Sequence, residues 1–434
     1  MTKEIQDNKI LLCITGGSPQ VVTETLYCLI TQEPPYIPTH IIIVSTTKGI
    51  NDARRQLEAI DSEEDKYKGK SIMEEFCEVM QNELQGKKYS EKNRNIEYHT
   101  LTRKDGSELN DILSTADSEE VADDIFNLIK EKCLIEDVDN KIKQSLHVSI
   151  AGGRKTMGFY AGYSLSLVGR ANEKLSHVLI ESEYKDGTEP SIFENNPSFY
   201  FPKQIRTVKI TDPKTKEVIK EVSANKAKLA LTEIPIVKIR SILPEDTSSF
   251  LKNITFKDFV ERTQRAIDKD SYELSFDMAK KDLIFGKVND VRIHLVPRHF
   301  ATFLASIKYF FEIKERNKFT FDIDFFKIYC PLHTAIHDCK GYECNFKDCM
   351  EVETGKPLPS FYLDHKDFGN AFSANIAIIT DLFNKNLYKM ECEYFNFDKE
   401  DKEENNIPYY KFNIDPKHIK ANTTWGFLDE KFYN

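Results

Sequence analysis

Two short loops hold the residue types best suited to chemistry in this 434-residue chain, Gly16-Gly17-Ser18 and Gly152-Gly153-Arg154-Lys155-Thr156. Each follows an apolar run that reads as a strand, Ile10–Ile14 before the first and His147–Ala151 before the second. Each also precedes a helical pattern. In the second, Met157, Tyr160, Ala161, Ser164, Leu165 and Val168 form one broad face. A strand that turns through two glycines into a helix is an anion-binding arrangement. The missing Cβ lets the backbone approach a phosphate, and the first amides of the helix have no internal partner. Arg154 and Lys155 add full positive charges at the same place. The loops therefore point to a phosphate-bearing ligand, the alternative being two tight turns with surface charge. Neither is a G-x-G-x-x-G fingerprint. Gly153-Arg154-Lys155-Thr156 also fails as a P-loop, because Arg154 separates the glycine from the lysine, so ATP hydrolysis of the usual kind is not expected.

The elements that must position these loops follow from pattern. Ser18 fits a helix N-cap and Pro19 the first helical position, with the helix running to the Pro34-Pro35 stop. His40–Ser45 is apolar enough for a central parallel strand. Thr46-Thr47-Lys48-Gly49 leads into a helix expected from about Asn51. A helix over Ile72–Leu84 and a strand over Asn95–Leu101 follow, and then a polar loop containing Arg103. Leu109, Ile112, Val121, Ile125 and Ile129 suggest helical packing, with Asp111 and Asp117 near the starts. Leu175–Ile180 is a further central strand, and less regular strands are expected between Phe199 and Leu231. This alternation predicts a Rossmann-like α/β domain with a parallel-sheet core over residues 1–240. In such a sheet the loops converge at the carboxyl ends of the strands. The candidate ligand-binding residues are Gly16, Gly17, Gln20, Thr47, Arg103, Gly152, Gly153, Arg154 and Thr156.

Thr15-Gly16-Gly17-Ser18-Pro19-Gln20-Val21-Val22-Thr23-Glu24-Thr25-Leu26 resembles the first motif of CRISPR-associated CARF-domain proteins, in the branch of ring nucleases. Ser149-Ile150-Ala151-Gly152-Gly153-Arg154-Lys155-Thr156-Met157 resembles the second, and Asp105-Gly106 through Asp111-Ile112 to Ala122-Asp123 is also similar. The resemblance covers roughly residues 8 to 240. It implies a homodimer that binds a cyclic oligoadenylate, most often cyclic tetra-adenylate, across its two-fold axis. Some members only sense this messenger, and ring nucleases cleave it to switch off type III CRISPR signalling. By the same resemblance, Ser18 and Lys155 match the serine and lysine that contact the ring and support cleavage. The chemistry can be argued separately. Each 3′–5′ link carries a free 2′-OH, and in-line attack on phosphorus gives a 2′,3′-cyclic phosphate. Such a step needs positioning and charge stabilisation more than a metal, so no catalytic cofactor is expected. The two loops contain no clear general base. His177 is a candidate if it faces the site, the alternative being a structural histidine.

Composition bounds the rest. The net charge of −10 argues against a generic nucleic-acid coat. No stretch approaches the roughly 20 apolar residues of a membrane span, and the N-terminus has no signal-peptide layout. A cytoplasmic protein with no membrane partner is expected. Pro235 and Pro244 mark a transition to a second domain over residues 241–434. An amphipathic helix (Phe250–Ile267), a hairpin (Tyr272–Phe276 with Asp282–Phe285), a strand (Val291–Leu295), helices from Pro297 and over Ala371–Leu382, and an alternating Tyr409–Ile414 suggest a winged-helix-like α+β domain. Its Ser373–Asp381 stretch has no basic residue and Asp398–Glu404 is strongly acidic. Dimerisation or regulation is therefore favoured over DNA binding. Arg292 and His299 have the R-x6-H spacing of HEPN ribonucleases, but Pro297 splits them between a strand and a helix.

Of nine cysteines, Cys13, Cys28, Cys77, Cys133 and Cys392 sit in apolar or amphipathic contexts and read as buried free thiols. Cys330, Cys339, Cys344 and Cys349 cluster in a polar insert with His333 and His337. A structural zinc on the four cysteines, with either histidine as substitute ligand, would give that insert order it cannot draw from apolar burial. An iron–sulfur cluster is a less favoured alternative, and the bland reading is free or disulfide-prone surface thiols. Metal analysis of protein purified without a His-tag is expected to find close to one zinc per chain; less than about 0.2 would refute the site.

Overall fold

The computed structural model describes residues 6–60, 69–83, 95–134, 142–181, 191–212, 214–286, 291–312, 365–400 and 409–420, with Phe325, Ile328, Tyr329, Leu332 and Ile336 in addition. The four cysteines proposed to hold zinc, and His333 and His337 beside them, lie outside these residues. The chain divides into two compact units, residues 1–241 with 255–257, and residues 242–254 with 258–434.

The first unit runs β1 (Gln6–Ile14), α1 (Gln20–Thr31), β2 (His40–Ser45), α2 (Thr47–Leu57), α3 (Ile72–Glu83), β3 (Ile96–Thr100), α4 (Thr115–Leu134), β4 (Ile142–Ser149), α5 (Lys155–Val168), β5 (Lys174–Ile180), β6 (Val208–Thr211), β7 (Val218–Val222) and β8 (Leu229–Glu233). Six strands form one sheet in the order β3-β2-β1-β4-β5-β8. The first five are parallel, and β8 closes the edge antiparallel to β5. The α/β fold with a parallel core is thus the one the alternating pattern predicted. Strands buried on both faces need apolar residues at every position rather than every second one. Ile10–Ile14 and Ile41–Val44 meet that requirement and are at most 3% exposed. On one face Leu11, Cys13, Ile41 and Ile43 pack against Val22, Leu26 and Leu29 of α1, Ile50, Ala53 and Leu57 of α2, and Ile72, Phe76 and Met80 of α3. Cys13, Cys28, Cys77, Cys133 and Cys392 are all buried free thiols.

Three helix starts differ from the sequence-based expectation. Ser18 is not the cap of α1; Pro19 occupies the N-cap position and makes no side-chain cap bond. α2 begins at Thr47 rather than near Asn51, because the Thr46 side chain accepts from the Gly49 amide and starts the helix one turn earlier. Leu109 and Ile112 precede α4 in a loop tied by Leu109 N to Leu101 O at 2.8 Å. A reciprocal cap fixes the true start of α4. Asp117 N donates to Ser114 Oγ at 3.0 Å, and Ser114 N donates to Asp117 Oδ2 at 3.1 Å.

The second unit contains α6 (Thr247–Phe250), α7 (Phe256–Ile267, its first two residues grouped with the first unit), β9 (Leu274–Asp277), β10 (Asp282–Phe285), β11 (Val291–His294), α8 (Pro297–Glu312), α9 (His365–Asn386), α10 (Lys389–Phe395), β12 (Phe397–Glu400), β13 (Tyr409–Phe412) and β14 (Ile419–Lys420). A four-stranded sheet has the order β11-β10-β9-β14, and β12 and β13 form a separate antiparallel pair. Strand alternation turns Leu274, Phe276, Leu283, Phe285, Val291 and Ile293 into a core with Phe300 and Phe303 of α8 and Ile379 and Phe383 of α9. Arg292 is near Asp277 and Asp282 on the strands, whereas His299 is only 8% exposed on α8. Among the described residues no helix is long and apolar enough to cross a membrane.

One buried polar contact makes the first unit sensitive to pH. His147, only 3% exposed, has Nε2 2.7 Å from Ser176 Oγ and its ring 5.5 Å from that of Tyr36. Burial, and then the charge of Lys174, lowers its pKa from 6.5 to about 4. Between those values the unfolded chain binds a proton that the folded chain refuses. The stabilisation is therefore complete above pH 6.5 and lost as pH falls toward 4. Replacing His147 with the non-titrating Gln should remove roughly 3 kcal/mol of that acid-side loss. Denaturant titrations of both proteins at pH 7 and pH 4.5 measure it, and equal slopes against pH would refute it.

Candidate functional site

The two glycine loops meet. β1 and β4 are neighbours in register from Gln6↔Ile142 to Cys13↔Ser149. Beyond that ladder the chain leaves β1 through Gly16-Gly17-Ser18 into α1, and leaves β4 through Gly152-Gly153-Arg154 into α5. β2 lies on the outer side of β1 and β5 on the outer side of β4, so the strand order reverses between the two loops. At such a switch point the loops part and leave a crevice at the carboxyl ends of the strands. The crevice is a cleft of about 440 Å³, lined by residues of both loops together with Thr46, Lys48 and Gly49 at the start of α2, and by Asp52, Asp111 and Asn195.

Backbone geometry makes the convergence possible. A Cβ on Gly16 would stand 3.2 Å from Gly153 Cα. Gly153 has φ of +78°, and a Cβ there would meet Ile14 Cγ2 at 3.0 Å and Thr15 O at 3.2 Å. Three helices, α1, α2 and α5, start at the cleft wall, and their N-terminal ends bring partial positive charge to it. Among the described residues, the amides of Gly17, Ser18, Gly153 and Arg154 donate to no protein acceptor. That set of donors suits an anion.

The side chains are arranged unevenly. Ser18 is exposed in the cleft wall, and its hydroxyl engages no described residue. Arg154 lines the cleft but is already held by Asp111, with NH2 at 2.7 and 2.8 Å from the two carboxylate oxygens and Nε at 3.1 Å from one of them. Those bonds, followed by the Ile112 amide, hold the Asp111 carboxyl below its ordinary pKa. Lys155 and Thr156 open α5 and are exposed, outside the cleft lining, and the Lys155 ammonium engages no described residue.

Other expected ligand-binding residues lie elsewhere. Gln20 is buried, its Nε2 donating to Gln56 Oε1 at 3.1 Å and to Pro197 O at 3.5 Å. Thr47 Oγ1 donates to Glu108 Oε2 and Leu109 O. Arg103 is paired with Asp117 at 2.9 Å. None of these three lines the cleft. His177 is also outside the lining, on β5, with Nδ1 buried and without a hydrogen-bond partner among the described residues. Lys48, Asp52 and Asn195 join the site without having been singled out. Lys48 had a legible signal, since Thr46-Thr47-Lys48-Gly49 also follows a parallel strand; Asn195 comes from an irregular segment that carries none.

The family of the CRISPR-associated protein NE0113 matches residues 18–269, more than half of the chain. The chain belongs to this CRISPR-associated family. Its matched span begins at Ser18, the last residue of the first glycine loop, and takes in the second loop and every residue of the cleft lining from Ser18 onward. The CRISPR association implied by the loop motifs is therefore borne out. No curated protein matches. Among solved structures, Enterococcus italicus Csm6 bound to cyclic hexa-2'-fluoro-hexa-dAMP is similar at 10% identity over 89% of this chain and 97% of that one. The TM-score of 0.25 is too low to transfer any residue or ligand.

The glycine geometry gives a direct test. Gly153→Ala should cost about 1–2 kcal/mol through its left-handed backbone. Gly17→Ala, where an added Cβ meets nothing within 4 Å, should stay within about 0.5 kcal/mol. Thermal unfolding of the two variants separates them, and equal midpoints would contradict the packing described.

Proposed function

We propose that this protein binds cyclic tetra-adenylate at the glycine-loop cleft and cleaves it as a ring nuclease. The observation that supports this most is the convergence of two strand–glycine–helix loops on one polar cleft, in a chain of a CRISPR-associated family. The unpartnered amides would hold a phosphodiester, and Ser18 would fix its position. Lys155, one residue beyond Arg154 at the start of α5, would neutralise charge developing on the phosphoryl oxygens. Attack by a ribose 2′-OH on the adjacent phosphorus breaks the P–O5′ bond, leaving a 2′,3′-cyclic phosphate and a 5′-hydroxyl. Alignment of that oxygen with the leaving group is the main contribution asked of the protein. No metal takes part in this scheme. In the homodimer implied by the loop motifs, two such clefts would face one ring across the two-fold axis.

A second reading has its own support. No histidine lines the cleft among the described residues, and Arg154 is committed to Asp111. A site without a ready base suits a sensor that binds the messenger and acts through residues 241–434 on DNA or a protein partner. Single-turnover assays with enzyme in excess over cyclic tetra-adenylate decide between the two. The nuclease reading expects linear products ending in 2′,3′-cyclic phosphate in the presence of EDTA. Lys155→Ala should then slow cleavage by roughly 10²-fold while changing affinity much less. Equal loss of both would make Lys155 a ligand anchor only, and an intact ring at full binding would favour the sensor.

A further inference from the structure

We infer that Asn195 reads the base of the bound ring and makes the cleft selective for adenine, an inference that rests on the cyclic-oligoadenylate reading of the site. The amides of the two glycine loops can hold phosphate but cannot tell one base from another. An adenine presents the N6 amino donor beside the N7 acceptor, and recognising that edge takes an acceptor and a donor held side by side. A carboxamide supplies both at once.

The cleft wall offers few alternatives. Thr15 Oγ1 donates to Ser18 O at 3.4 Å and Ser45 Oγ donates to Thr15 O at 2.7 Å. Thr46 Oγ1 accepts from the Gly49 amide. Asp52 is paired with Arg55 at 2.6 Å, and Asp111 with Arg154 at 2.7 Å. Lys48 can only donate, and Ser18 has a single hydroxyl. Among the described lining residues Asn195 is the carboxamide, and its side chain engages no described residue.

Its setting is built rather than loose. Phe193 and Phe199, 1% and 0% exposed, pack with ring centroids 5.2 Å apart on either side of it in sequence. The adjacent Asn196 is consumed by the fold. Its Nδ2 donates to Ile192 O and Lys209 O, and its Oδ1 accepts from the Ser198 amide and hydroxyl. Between these anchors Asn195 has φ of 54°, in the left-handed region where glycine is easier to place. Asparagine and glycine both adopt that conformation readily, and among the described lining residues Asn195 is the one that offers a carboxamide.

The test is binding of cyclic tetra-adenylate and of cyclic tetra-inosinate, which carries an acceptor oxygen in place of the amino group, by the full-length protein and by Asn195→Gly. Glycine keeps the backbone conformation, and an unchanged melting temperature confirms the fold. The native protein should bind the adenylate ring roughly tenfold or more tightly than the inosinate ring, and N195G should bring the two within about threefold. Asn195→Asp, which keeps an acceptor but loses the donor to N7, should also weaken the adenylate ring. Discrimination that survives in N195G, or that is absent from the native protein, overturns the inference and leaves the proposed function standing. A native protein that binds neither ring overturns the proposed function and this inference with it.

Discussion

The first unit depends on two backbones touching where no side chain fits. Gly16 and Gly153 lie in the loops that follow neighbouring parallel strands, and a Cβ on the first would crowd the Cα of the second at 3.2 Å. Because β1 and β4 stay paired to the last residue of β4, Ser149, their continuations have no room to separate gradually. They turn at once into α1 and α5, and the reversal of strand order opens the cleft between them. The amides of Gly17, Ser18, Gly153 and Arg154, unpartnered among the described residues, then stand together at the cleft. Every feature useful for an anion follows from that single close approach.

The charged side chains temper this positive field rather than add to it. Arg154 stands at the rim with its guanidinium already bidentate on Asp111, and Asp52 is paired with Arg55. An anion in the cleft would meet fixed amides and would have to compete with a carboxylate for the arginine. The polar lining side chains with no hydrogen-bond partner among the described residues are Ser18, Lys48 and Asn195. The second unit is organised on another principle, an aromatic core in which Phe303 meets Phe383, Phe397 and Phe412 edge-on.

Much of the fold was legible because it is written in local periodicity. Ile10–Ile14 and His40–Ser45 read as central strands since both faces must be apolar, and the helical pattern from Met157 to Val168 is the buried face of α5. The helix starts were less legible. Thr46 and Ser114 won the capping positions through bonds to Gly49 and Asp117, whereas Ser18 lost its own to Pro19. Caps are decided by one hydrogen bond, and several nearby residues of suitable type compete for it.

By itself, then, the sequence determined the α/β alternation, the two glycine turns, and the motifs that mark a CRISPR-associated family, because each of these rests on residues within a few positions of one another. Tertiary structure alone decided which groups share the cleft. Arg154 meets Asp111 across 43 positions, Lys48 arrives from the neighbouring strand, and Asn195 arrives from an irregular segment beyond β5. It also turned Gln20, Thr47 and Arg103 to partners outside the cleft. Strand order and the direction of a side chain at the end of a turn are long-range outcomes of packing, and no local pattern encodes them.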